Sequence, residues 1–157
     1  MATLLQTFEG GPPLNEEDIR SFERKHGLAL PPDYKEFLLA TNGGRPERDL
    51  FTIKGLEGDS LGRIHIFFCL NDPIASCNLD WNLSVFRERL PAELLAIATT
   101  EGTDKICLGV AGGRTGTIVY WDGHARTGER NLYFLADAFS SFISSLRADE
   151  VSPRRGA

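Results

Sequence analysis

Apolar residues recur along this chain at two spacings, one that suits helices and one that suits strands. Asn15 followed by Glu16, Glu17 and Asp18 is an N-cap with an acidic first turn, and Ile19, Phe22 and Leu28 follow as core positions. Gly27 stops that first helix. The stretch LPPDYKEFLLATNGG, residues 30–44, predicts a second. Pro31 and Pro32 suit a first helical turn, and Asp33 and Glu36 meet the positive end of its dipole. Tyr34, Phe37 and Leu38 share one face, and Asn42-Gly43-Gly44 closes the helix.

Residues 50–54 and 63–70 then read as strands. In the second, Ile64, Ile66, Phe68 and Leu70 alternate with His65, Phe67 and Cys69. The connection GLEGDSLG is Gly-rich and carries Glu57 and Asp59. Asn71-Asp72-Pro73 is a turn signal. A helix is expected over residues 78–89, with Trp81, Val85 and Phe86 on one side and its end before Pro91. Three strand-like runs follow at 94–100, 105–110 and 116–122, joined by the short links EGTD and AGGRTG as antiparallel hairpins require. The run NLYFLA predicts a last strand, leading into a helix with Asp137 as N-cap. Phe139, Phe142, Ile143 and Leu146 form that helix's apolar stripe.

The order predicts an α+β fold with a mostly antiparallel sheet of about five to six strands, packed by N-terminal, middle and C-terminal helices. Residues 15–147 form the single expected domain. Residues 1–14 read as a loose lead-in, although Leu4, Leu5 and Phe8 can pack locally, and 148–157 as a frayed tail.

Composition narrows the function. The 157 residues are 41% hydrophobic, enough for a real core. Lys and Arg total 17 against 22 Asp and Glu, a net charge of −5. That argues against direct nucleic-acid binding, which needs a basic footprint, and suits a basic protein partner. No run of eighteen apolar residues occurs, and no basic-then-apolar N-terminal leader, so the expectation is a cytoplasmic protein without membrane contact, monomeric or weakly dimeric.

Reactive side chains are scattered. Cys69, Cys77 and Cys107 make no CxxC pair and no disulfide framework, and read as structural thiols. His26, His65 and His124 lie far apart; the nearest approach to a metal motif, Asp122 and His124 in WDGH, reads better as a tight turn after a strand. GVAGGRTGT lacks the Lys-Ser/Thr end of a phosphate loop and reads as a hairpin. In the second helix only the Tyr34 hydroxyl is reactive. No catalytic, cofactor or metal site is therefore expected, and no enzyme. Trp81, Trp121, Tyr120 and Tyr133 lie near acidic residues and are of the type that fills either cores or interface centres.

Taken in order, these segments resemble the SMI1/KNR4 family of the SUKH superfamily. The resemblance rests on IRSFERKHGLALP, LPPDYKEFLLATNGG, RERLPAELLAIATTEGTDKICLGV, GTIVYWDGH and LADAFSSFISSL, and covers about residues 15–147. Asp104, directly before the ICL strand, departs from the Gly-rich turn that many members carry there. The resemblance implies a non-enzymatic binding domain. Bacterial members are similar to immunity proteins of polymorphic or contact-dependent toxin systems, which bind a toxin domain, often a nuclease. Fungal members act as regulatory scaffolds, so an adaptor is the alternative. On the leading reading, the partner-binding surface includes Glu57, Asp59, Asp80, Trp81, Asp104 and Asp122.

Overall fold

The computed structural model describes residues 5–148 apart from Glu101 and Thr103. The expected tail, except Ala148, and the first four residues of the lead-in lie outside the described residues, as does part of the EGTD link.

Two helices open the domain, α1 (Glu16–His26) and α2 (Pro32–Thr41), after a two-residue strand β1 (Thr7–Phe8). Asn15 and Asp18 cap α1 reciprocally, each side chain taking the other's backbone N–H at 2.9 Å, and Gly27 closes the helix at φ 65°. Strands β2 (Arg45–Pro46), β3 (Leu50–Lys54) and β4 (Asp59–Phe67) follow, then α3 (Leu79–Val85). The chain finishes with β5 (Leu94–Thr100), β6 (Lys105–Gly109), β7 (Ile118–Trp121), β8 (Leu132–Ala136) and α4 (Phe139–Ser145).

β3 to β8 form one antiparallel sheet in sequence order, and β1 pairs with β2 beside it. The α+β architecture expected from the sequence is therefore present. The sheet curls until its edge strands β3 and β8 approach each other. Arg147 then pairs with Leu50 through both backbone bonds at 3.0 Å, on the outer edge of β3.

One face of the sheet packs on α2 and α4 through aromatic rings. Phe37 lies 4.9 Å from Phe67 and 5.0 Å from Phe139, while Phe142 lies 5.8 Å from Phe51, centroid to centroid. Tyr34, Phe37 and Leu38 are at most 2% exposed, as their shared helical face predicts.

Asn42 joins the helices to the sheet. It ends α2 in the left-handed conformation, at φ 48°, and is 2% exposed. Its amide donates to the carbonyls of Pro12 (2.7 Å) and Leu70 (2.9 Å), and its Oδ1 accepts from Leu70 N–H (2.9 Å). Gly43 follows at φ 77°, where a Cβ would stand 2.5 Å from the Phe68 carbonyl oxygen. Gly44 exchanges both backbone bonds with Phe67. The Asn-Gly-Gly stop is thus also a weld to β4.

Several local expectations need correction. β4 begins at Asp59, so the Gly-rich connection is only the turn 55–58 and Asp59 is the first strand residue. The residue that hides this is Gly62, which sits under the Phe51 ring; a Cβ there would meet Phe51 at 2.4 Å. β4 also ends at Phe67, three residues short of the expected strand. The middle helix is shorter than 78–89, with a 3₁₀ turn at Ala75–Cys77 before it and hydrogen-bonded turns after it. Residues 5–14 are not loose: Leu5 is 1% exposed, and β1 pairs with β2.

Asp137 does not cap α4; Ala138 holds that position without a side-chain bond. Asp33 supplies it from across the fold, its Oδ2 accepting from Ser140 N–H at 3.0 Å while Oδ1 takes Tyr34 N–H. Asp33→Ala is therefore expected to cost about 1–2 kcal/mol, lowering the melting temperature by roughly 2–8 °C. An Asp137→Ala variant with the larger loss in a thermal melt would reverse the assignment.

Candidate protein-binding site

In an antiparallel meander, alternate connections emerge at the same end. Here the β3–β4 turn, the β5–β6 link and the β7–β8 loop share one end of the sheet. Glu57, Asp59, Asp104 and Asp122 therefore share that end of the sheet, although only Asp104 and Asp122 are brought close to each other.

They are not equivalent. Glu57 sits at the tip of the β3–β4 turn with φ 50°, between Gly55 and Gly58, whose backbones bond at 2.7 Å. Ser60 Oγ donates to Leu56 O at 2.6 Å and fastens the turn's other side. Glu57 and Asp59 are exposed and make no ion pair among the described residues.

Asp104 turns inward. Its Oδ2 accepts from the Tyr120 hydroxyl, and its Oδ1 from Gly123 N–H at 2.7 Å, with His124 Nδ1 at 3.3 Å. Asp122 accepts from His124 N–H at 2.9 Å, an Asx-type turn of the kind WDGH predicts. Burial first, and then the Asp104 bond, push the Tyr120 hydroxyl well above its ordinary pKa, so it stays a donor. Asp104, Asp122 and His124 bring potential metal-ligand atoms within 4.8 Å of one another. Sequence spacing misses this group because Asp104 joins it across the sheet. The Asp104 oxygens are already committed to a hydroxyl, a backbone amide and an imidazole, and this network locks the loop.

Asp80 and Trp81 stand apart from those four, on α3. Asp80 Oδ2 lies 2.8 Å from Lys25 Nζ and 3.2 Å from His26 Nε2, tying α3 to the end of α1. Partial burial raises the Asp80 pKa, but the Lys25 and His26 bonds outweigh it and hold the carboxyl below its usual range. Trp81 is 41% exposed and Val85, one turn on, 49%. Trp121, Tyr120 and Tyr133 are buried.

A cation–aromatic stack has no counterpart in the sequence reading. Lys105 is 5% exposed, with Nζ 4.6 Å from the Phe86 ring centroid. Arg89 covers Trp121 at 4.8 Å and donates to Gly123 O at 3.4 Å. Burial lowers the Lys105 pKa. Its only sequence signal is the strand alternation that sets Lys105 and Cys107 on one face.

The thiols and Tyr34 are poorly placed for nucleophilic chemistry. Burial pushes Cys69 to about 11 and Cys107 to about 12, and it raises the Tyr34 hydroxyl as well. No helix among the described residues is long and apolar enough to cross a membrane.

What this architecture defines is a scaffold with exposed turns at both ends of a sheet whose central strands are buried. Residues 13–145 match the SMI1 / KNR4 family (SUKH-1), and the chain belongs to that family. It is also similar to the SPbeta prophage-derived uncharacterized protein YokK of Bacillus subtilis (strain 168), at 26% identity over 145 residues. That alignment spans 83% of this chain and 73% of the relative.

Proposed function

We propose that this chain is an immunity protein that binds one cognate toxin domain, most simply a nuclease, and neutralises it by covering its active cleft. Membership of a family that includes immunity proteins is the observation that carries this reading. The prophage origin in the relative's name fits a gene that travels with such systems. The reading is non-enzymatic: the Asp104–Asp122–His124 group is spent on holding its own loop.

The β3–β4 turn, with its exposed Glu57 and Asp59, is the proposed contact. Glu57 and Asp59 present unpaired carboxylates on a turn fastened by the Gly55–Gly58 backbone bond and by Ser60. A nuclease must carry Lys and Arg for phosphate, so this turn can compete for the same cationic surface. Asp104 and Asp122 shape the neighbouring loop rather than offering free charge.

Two experiments test this. Co-expression with the C-terminal domain of a toxin encoded beside this gene should restore growth, and continued killing counts against immunity. Glu57→Lys with Asp59→Lys should slow association about tenfold at low salt and much less at high salt. An unchanged low-salt rate would move the interface elsewhere. Asp104 is left intact in this test because reversing it would break the Tyr120 and Gly123 bonds.

A further inference from the structure

A groove of about 410 Å³ lies away from the acidic turns, where β5 begins and β6 has ended. Its walls are the last turn of α1, the end of α3 with the bend that follows, and the start of β5. Leu83 lines it from α3, and Phe86, Arg87 and Leu90 from the hydrogen-bonded turns that follow that helix. Leu28 and Val110 complete the apolar floor.

Two observations set this groove apart from ordinary surface. Leu28, Leu83, Phe86, Leu90 and Val110 all pack on the core yet are only partly buried, so their remaining apolar area faces one concavity. The charged lining is of one sign: Lys25 and Arg87 border the groove, and among the described residues no carboxylate does. Asp80 engages Lys25 and His26 without lining the groove. Arg87 is exposed and makes no ion pair among the described residues.

We propose that this groove docks a short segment of a partner protein that carries carboxylates beside large apolar side chains. The apolar floor supplies the binding energy, and Arg87, which has no ion-pair partner among the described residues, selects the sign of the flanking charge. The volume is in the range that encloses one or two large side chains, not a folded domain. This proposal stands apart from the toxin reading, since the surface, the partner's charge and the assay all differ. A toxin bound at the acidic turns would leave the groove free for a second protein.

The test uses the full chain, labelled with 15N and titrated with the peptide acetyl-Glu-Asp-Leu-Phe-Asp-Glu-amide. Saturable amide shifts are expected at Leu83, Phe86, Leu90 and Val110. A peptide with Lys for every acid, and one with Ser for Leu and Phe, should each bind about tenfold more weakly. Ala111→Trp, at an exposed position on the groove's lip, should block the site, and Arg87→Glu should weaken it about tenfold, both with the melting temperature kept. No saturation below about 2 mM, or equal binding of the lysine peptide, would overturn the proposal. So would shifts centred on the β3–β4 turn, or variants that bind as wild type. Groove shifts that grow with protein concentration alone would assign the site to a second copy of this chain, and would equally overturn it.

Discussion

Asn42→Ala is expected to destabilise the fold by about 4 kcal/mol, lowering the melting temperature by roughly 8–16 °C. The effect is large because one side chain satisfies three backbone groups. Removing it strands the Leu70 N–H and leaves the carbonyls of Leu70 and Pro12 each short of a donor, at a residue only 2% exposed. Alanine also fits the left-handed backbone poorly, which adds about 1 kcal/mol. Two further variants separate the causes. Asn42→Gly keeps the backbone and loses the bonds, whereas Asn42→Asp keeps the acceptor for Leu70 N–H and loses both donors. A melt of Asn42→Ala within about 2 °C of wild type would show that the weld to β4 contributes little.

Phe37→Ala should be similarly costly, at about 3–5 kcal/mol. The ring is 2% exposed and meets Phe67 and Phe139 at about 5 Å, with Tyr34 at 6.2 Å. Its loss opens a cavity at the junction of α2, α4 and β4. Phe37→Leu retains most of the volume and should lose well under half as much. Chemical denaturation reads both, and equal midpoints for wild type and Phe37→Ala would place the ring outside the core.

Where the chain's signals are local, they transfer directly to the fold. Asn15, Asp18 and Gly27 set the ends of α1 within their own segment, and β3 falls on residues 50–54 as its apolar pattern predicts. The hairpins from β5 to β7 likewise follow from short glycine-rich or polar links. Features decided by distant partners were not legible. Asp33 caps a helix 107 positions away, and β1 finds β2 across 37 or more residues with only two residues each. Asp137 carries the right chemistry for a cap, yet Asp33 already fills the role.

The candidate site divides the same way. That Glu57 and Asp59 sit at a turn follows from the glycines around them. That Asp104 folds under Tyr120 does not, because strand pairing alone brings positions 104 and 120 together. Trp81 and Trp121 look alike in sequence. One lies on the outward side of α3, and the other is sealed under Arg89 and against Phe86.

The clip at Arg147 has a practical consequence for anyone who trims this domain. The family match stops at residue 145, two positions before Arg147 takes both backbone bonds of Leu50. It also begins at residue 13, after Leu5 and the β1 strand. A protein cut to 13–145 would keep every recognisable motif except the final Leu146 and still uncover the Leu50 end of β3's outer edge, a template on which neighbouring molecules can stack strand on strand. Such a fragment should precipitate or self-associate where the 5–148 span stays dispersed, so the functional boundary of this fold lies outside its recognisable one.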